Sequence, residues 1–133
     1  MSSTGGNAQR MAQYASALLL IAAGGIHLFL VLIGTGGFLG VTFVLNAVAG
    51  IALGIGMFVL RGTMLRLTAV LGLLFMIASL GALLTALTVG LFGIHTSWSD
   101  TLAPHTVVVE SIGVVVLAVT TTMLFRSSRA DRD

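Results

Sequence analysis

The sequence predicts an all-α protein, a four-helix bundle integral to a membrane with both termini cytoplasmic. Three observations predict it. Only 8% of the 133 residues are charged and 57% are hydrophobic, with a mean hydropathy of +1.13. A soluble domain carries about 25% charged residues, so this chain has too few charges to solvate a globular surface. Four apolar runs are each long enough to cross a bilayer, which takes about 20 residues. Finally, all six basic residues are arginine, and an even number of spans gathers them on one side.

Span one is read from about residue 14 to 33, preceded by a polar tail, 1–13. Its apolar region exceeds the roughly 7 to 15 residues of a signal-peptide core, so it reads as a retained span. The "GTGG" at 34–37 is a tight glycine turn into span two, about 37–60. "RGTMLR" at 61–66 brings two arginines, each costing about 2.5 to 3.5 kcal/mol at mid-membrane on insertion scales. Span three follows at about 67–92. "GIHTSWSDTLAPH" at 93–105 is the long polar connection, in which Asp100 is placed to cap or solvate the start of span four. Pro104 suits a first helical turn, where a missing N–H does no harm. Span four is about 106–125, with a polar tail at 126–133.

Arg10 precedes span one, Arg61 and Arg66 separate spans two and three, and Arg126, Arg129 and Arg132 follow span four. The positive-inside rule makes that side cytoplasmic and the 93–105 loop external. The expected place is the bacterial cytoplasmic membrane. The partners expected are the lipid bilayer, and with it a second copy of the chain or a larger membrane complex. Scattered arginines without a basic run argue against nucleic acid.

Polar residues within the spans mark the candidate site. His27, Asn46 and Glu110 lie at similar depth in the outer half, with Thr85 and Thr88 on the outer part of span three. The cytoplasmic half has little to match them. His27 sits about six residues from its span end, about 9 Å at 1.5 Å per residue. An ionisable residue inside a span is a functional-site hypothesis by default. The sharper reading pairs His27 with Glu110 in an outward-facing pocket, Asn46 completing the hydrogen bonding. The plainer reading makes these residues interhelical glue, worth about 0.6 kcal/mol per bond on average.

Small residues at helical spacing mark packing faces: Gly24 beside His27, Gly50 and Gly54 on the stripe of Thr42 and Asn46, and Gly81 with Ala78, Thr85 and Thr88. "GGFLG" and "GIALG" also match the GxxxG pattern.

No catalytic residue is assigned and the chain is read as a non-enzyme. It has no cysteine, and no phosphate loop, nucleophile elbow or H-E-x-x-H stretch. No metal site and no cofactor are assigned. His27, His95 and His105 are its three histidines, none at ligand spacing on one helix.

"GGIHLFL", "FVLNAVAGIALGI", "LTVGLFGIHTSW" and "VVVESIGVVVLAV" together resemble an uncharacterised family of small four-span membrane proteins, mostly actinobacterial. These carry a histidine in span one, a GLFG-type exit from span three and a glutamate in span four. The resemblance covers nearly the whole chain, implies the same fold and singles out His27, Asn46 and Glu110. Its first outer connection, "GTGG", is shorter than the family's. The resemblance implies no activity. Three functions are therefore weighed. The first is a non-enzymatic subunit or scaffold. The second is an outward-facing binding or transport protein for a small solute, protons or a quinone. The third is a haem-bearing electron carrier.

Overall fold

Short connections force the first and second helices, and the second and third, to run antiparallel, and the longer connection 89–102 returns the fourth antiparallel to the third as well. The computed structural model describes residues 2–133. Four α-helices occur in order: α1 (Ser2–Leu32), α2 (Gly37–Val59), α3 (Gly62–Thr88) and α4 (Ala103–Ala130). Each packs on the next, and α4 closes the ring against α1. Both chain ends and all six arginines therefore lie towards one end of the bundle. The loops 33–36 and 89–102 lie at the other.

All four helices are long and apolar enough to cross a membrane, and only 22–33% of each span is buried inside the bundle. The remaining surface is rich in exposed Leu, Val, Ile and Phe, among them Leu32, Leu45, Leu74 and Val115. A soluble bundle would present charge there.

Helix ends depart from the hydropathy reading in both directions. Residues 2–13, read as a tail, are helical as far as Ser2; Met1 lies outside the described residues. Residues 126–130 likewise continue α4. Polar residues such as Gln9, Arg10 and Gln13 end a hydropathy window but are good helix formers, so the backbone ladder runs on through them. Span three is shorter than expected. It stops at Thr88 rather than 92 because the backbone turns left-handed at Gly90 (φ 87°), Phe92 (φ 50°) and Gly93 (φ 79°). Leu91 and Ile94 exchange backbone bonds of 2.9 and 2.8 Å across that turn.

The α1–α2 crossing is built on glycine. A methyl group on Gly50 would sit 2.9 Å from the Leu20 carbonyl oxygen and 3.0 Å from Gly24 Cα; one on Gly24 would meet the Ala47 carbonyl oxygen at 3.0 Å. Gly54 is equally close to Ala17. Only hydrogen fits between these backbones. Gly81 is different. It is exposed, and a side chain there would meet nothing within 4 Å, so it does not pack within the bundle. The inward face of α3 instead carries Leu65, Ala69, Gly72 and Met76. That stripe lies a third of a turn or more from Ala78, Gly81, Thr85 and Thr88.

The core runs through Ala17, Leu20, Met57, Met76 and Leu117. Below it, towards the arginines, lies a buried polar cluster that the sequence reading did not foresee. Gln13 donates to the Met57 carbonyl at 2.7 Å. The hydroxyls of Ser16 and Thr120 meet at 2.8 Å. The sequence reading placed little polarity in this half. Serine and threonine look unremarkable in a membrane helix because their hydroxyls also bond their own backbone.

Candidate functional site: a cavity at the arginine-free end

The registers of the four helices bring the intramembrane polar residues to one level. Ser16 faces Thr120, so antiparallel packing sets His27 opposite the neighbourhood of Glu110. Ser79 meets Glu110 directly, and His27 meets Phe43 edge to face at 5.1 Å. Above this layer the bundle opens into a cavity of about 480 Å³, within the range of small-molecule sites.

Every helix contributes to its wall: His27 and Leu30 from α1, Phe38, Thr42, Phe43 and Asn46 from α2, Ser79, Leu83 and Ala86 from α3, and Ala103 and Thr106 from α4. The connecting loop supplies Leu91, Phe92, Ile94, Thr96 and Asp100. Phe38 and Phe92 pack edge to face at 6.5 Å, joining the start of α2 to that loop. The loop is held by Asp100, whose Oδ2 accepts the Ser97 N–H at 2.8 Å. Of the two roles the sequence offered Asp100, capping or solvating the start of span four, its side chain does not take the first. The capping position is Leu102, left-handed at φ 65° and without a side-chain bond. The Asp100 backbone carbonyl accepts the Ala103 N–H instead. Pro104 occupies the first turn of α4.

The lining is mainly apolar, and the hydroxyls on its helices are satisfied, Ser79 by Glu110. Thr42 donates to the Leu39 carbonyl and Thr106 to the Leu102 carbonyl, each at 2.8 Å. The hydroxyls of Thr35, Thr96 and Thr101, near the loops, make no hydrogen bond among the described residues, and two groups on the helices also remain available. The Asn46 side chain makes no hydrogen bond among the described residues, leaving two donors and an acceptor for an occupant. His27 Nδ1 lies 2.8 Å from the Ala23 carbonyl oxygen. A carbonyl only accepts, so Nδ1 carries the proton. The neutral ring then offers Nε2 as a lone-pair acceptor.

Glu110 is fully buried but lies outside the lining. Ser79 Oγ lies 2.5 Å from its Oε1 in a hydrogen bond that the hydroxyl donates when Glu110 is a carboxylate, and its Oε2 has no partner among the described residues. No hydrogen bond or ion pair joins Glu110 to His27, so the direct pair read from the sequence does not form. Ser79, which is both a wall residue and the partner of Glu110, was missed. One serine in the "MIASL" stretch carries no periodic signal, and only the α3–α4 register reveals it.

Thr85 and Thr88 do not line the cavity. Each bonds its own helix, Thr85 to the Gly81 carbonyl at 2.7 Å and Thr88 to the Leu84 carbonyl at 2.8 Å. The reason is rotational: Ser79, Leu83 and Ala86 take the inward face, turning the threonines outward.

Of the histidines, only His27 lines the cavity. The His95 ring packs over Gly90, and His105 is exposed. Among the described residues no three His, Asp or Glu side chains cluster as a metal site would require. No protein-family model matches the chain, and no curated protein or solved structure matches it either.

Proposed function

We propose that this is a multi-pass protein of the bacterial cytoplasmic membrane that binds a small, largely apolar molecule with a hydrogen-bonding end. Both termini are cytoplasmic, and the cavity opens towards the external side. The observation that carries this reading is a mainly apolar cavity of about 480 Å³ that holds the unsatisfied Asn46 amide and His27 Nε2 on its helices, with Asp100 and threonine hydroxyls on its loop side. Interiors close-pack unless something is held there, and sites for small molecules combine apolar walls with a few convergent polar groups. A quinone headgroup or a comparable lipid-soluble ring compound has that chemistry. The topology rests on the arginines at one end and on the positive-inside rule. The resemblance to the small four-span family supports the choice of His27 and Asn46.

The test is to purify the protein in mild detergent, extract it with organic solvent and identify what it carries by mass spectrometry. The wild type retains a stoichiometric small molecule. His27→Leu and Asn46→Leu, which keep the bulk and remove the polar groups, lose it while melting normally. Equal retention by both variants would exclude these residues as the recognition groups.

A second reading is association with another copy or a larger complex. The exposed small residues Ala78 and Gly81 favour it, since small side chains let helices approach closely. Cross-linking in native membranes, compared with detergent, tests it. A haem-bearing carrier is tested by the Soret absorbance of the purified protein.

A further inference from the structure

The buried acid is the group that simple binding leaves unused. Glu110 is fully buried, it is the one glutamate in the sequence, and one of its oxygens has no hydrogen-bond partner among the described residues. A buried carboxylate without a counter-ion is costly. A neutral acid is far cheaper, because an unpartnered carbonyl oxygen carries no net charge. Its single side-chain hydrogen bond among the described residues is with Ser79, and Ser79 also forms part of the cavity wall. The acid is therefore sealed off except through one hydroxyl.

We propose that Glu110 and Ser79 form a proton relay between the bundle interior and the cavity, with His27 as the base on the far wall. The proposal deepens the binding reading: it assigns the cavity an occupant, water or ligand, that exchanges protons. The transfer balances without any redox partner. The Glu110 O–H breaks as its proton passes to Ser79 Oγ. Ser79 releases its own proton to the occupant, and the occupant passes one to His27 Nε2. Glutamic acid and neutral imidazole become glutamate and imidazolium. In the product state Ser79 Oγ donates to the carboxylate, so one bond of 2.5 Å serves both states with its donor reversed. Hydroxyls suit this role because each can donate and accept.

The surroundings hold few competing charges. α2 presents Asn46 and no titratable group to this layer, α3 presents Ser79, and α1 presents His27. The loop places Asp100 on the cavity wall, and on α4 itself His105 is exposed. The arginines lie towards the other end of the bundle.

The test is infrared difference spectroscopy of the protein in lipid nanodiscs at neutral pH, with deuterium oxide as the probe. The three aspartates lie in the loop and the C-terminal segment. A protonated-carboxyl C=O band that Glu110→Gln removes therefore reports Glu110. The expected result is a band present in the wild type, absent in Glu110→Gln, and shifting on transfer to deuterium oxide. Ser79→Ala keeps the band but loses its rapid exchange, and Ser79→Thr restores exchange. A structural serine would alter the band's position and leave the exchange rate unchanged. Absence of the band in the wild type, or unchanged exchange in Ser79→Ala, overturns the relay. Should Ser79→Ala fail to fold, exchange in the wild type against Ser79→Thr and His27→Phe decides: His27→Phe slows the exchange, and unchanged exchange refutes the relay. The binding reading fails separately, through the absence of a co-purifying molecule.

Discussion

The hydroxyls of Ser16 and Thr120, 104 residues apart in sequence, meet at 2.8 Å in the buried seam between α1 and α4. Thr120 also reaches the Ala12 and Val116 carbonyl oxygens at 3.0 and 2.8 Å, and Ser16 donates to the Ala12 carbonyl at 2.8 Å. This contact sets the register of α1 on α4, and so the level at which His27 arrives relative to Glu110.

Breaking it should cost a measurable but modest amount. Ser16→Ala and Thr120→Val are each expected to destabilise the bundle by about 0.6 to 1.7 kcal/mol, the span found for interhelical hydrogen bonds in membranes. The double variant should lose less than the sum of the singles, because either change alone already removes the shared bond. Strict additivity in detergent unfolding would mean that the two hydroxyls act independently.

Glycine substitutions separate packed from open positions. Gly50→Leu places a side chain against the Leu20 carbonyl and Gly24, and should cost at least about 1–3 kcal/mol, as overpacking does. Gly81→Leu enters open space and should leave monomer stability within about 0.5 kcal/mol, as surface changes do. A Gly81→Leu variant that melts normally but loses cross-linked dimer would identify the α3 strip as an association face.

Topology is open to a direct check. Reporter fusions at residue 133 and within 61–66 should read cytoplasmic, and one near Ser97 external. An external reading at residue 133 is incompatible with four spans and internal arginines.

The loop over the cavity depends on Asp100. Asp100→Ala removes the acceptor of the Ser97 N–H and should speed amide exchange across residues 93–102. The bond is exposed, so global melting should change by no more than about 0.5 kcal/mol. Unaltered exchange would show that the Leu91–Ile94 turn holds the loop without help.

The four helices and their apolar outer surfaces were legible in the amino-acid sequence because they depend on local quantities. Hydropathy over about 20 residues sets a span, and glycine turns with positive φ at Gly34 and Gly90 punctuate it. The similar depth of His27, Asn46 and Glu110 could also be counted along each helix. Helix ends were less legible: Gln13 and Arg10 are polar but helical, and the chain leaves the helix at Gly90 while still apolar.

What only the tertiary structure decided is which way each face turns. In a membrane helix, lipid-facing and core-facing residues are both apolar, so the hydrophobic periodicity that orients a soluble helix is nearly lost. The stripe of Ala78, Gly81, Thr85 and Thr88 therefore looked like an interface, while packing turned Met76, Ser79 and Ala86 inward. The same rotation put Ser79 between Glu110 and the cavity. It replaced a direct histidine–glutamate pair with two separate groups, one on the cavity wall and one behind it. Depth is a property of one helix and can be read along it; azimuth is fixed only when four helices pack against one another.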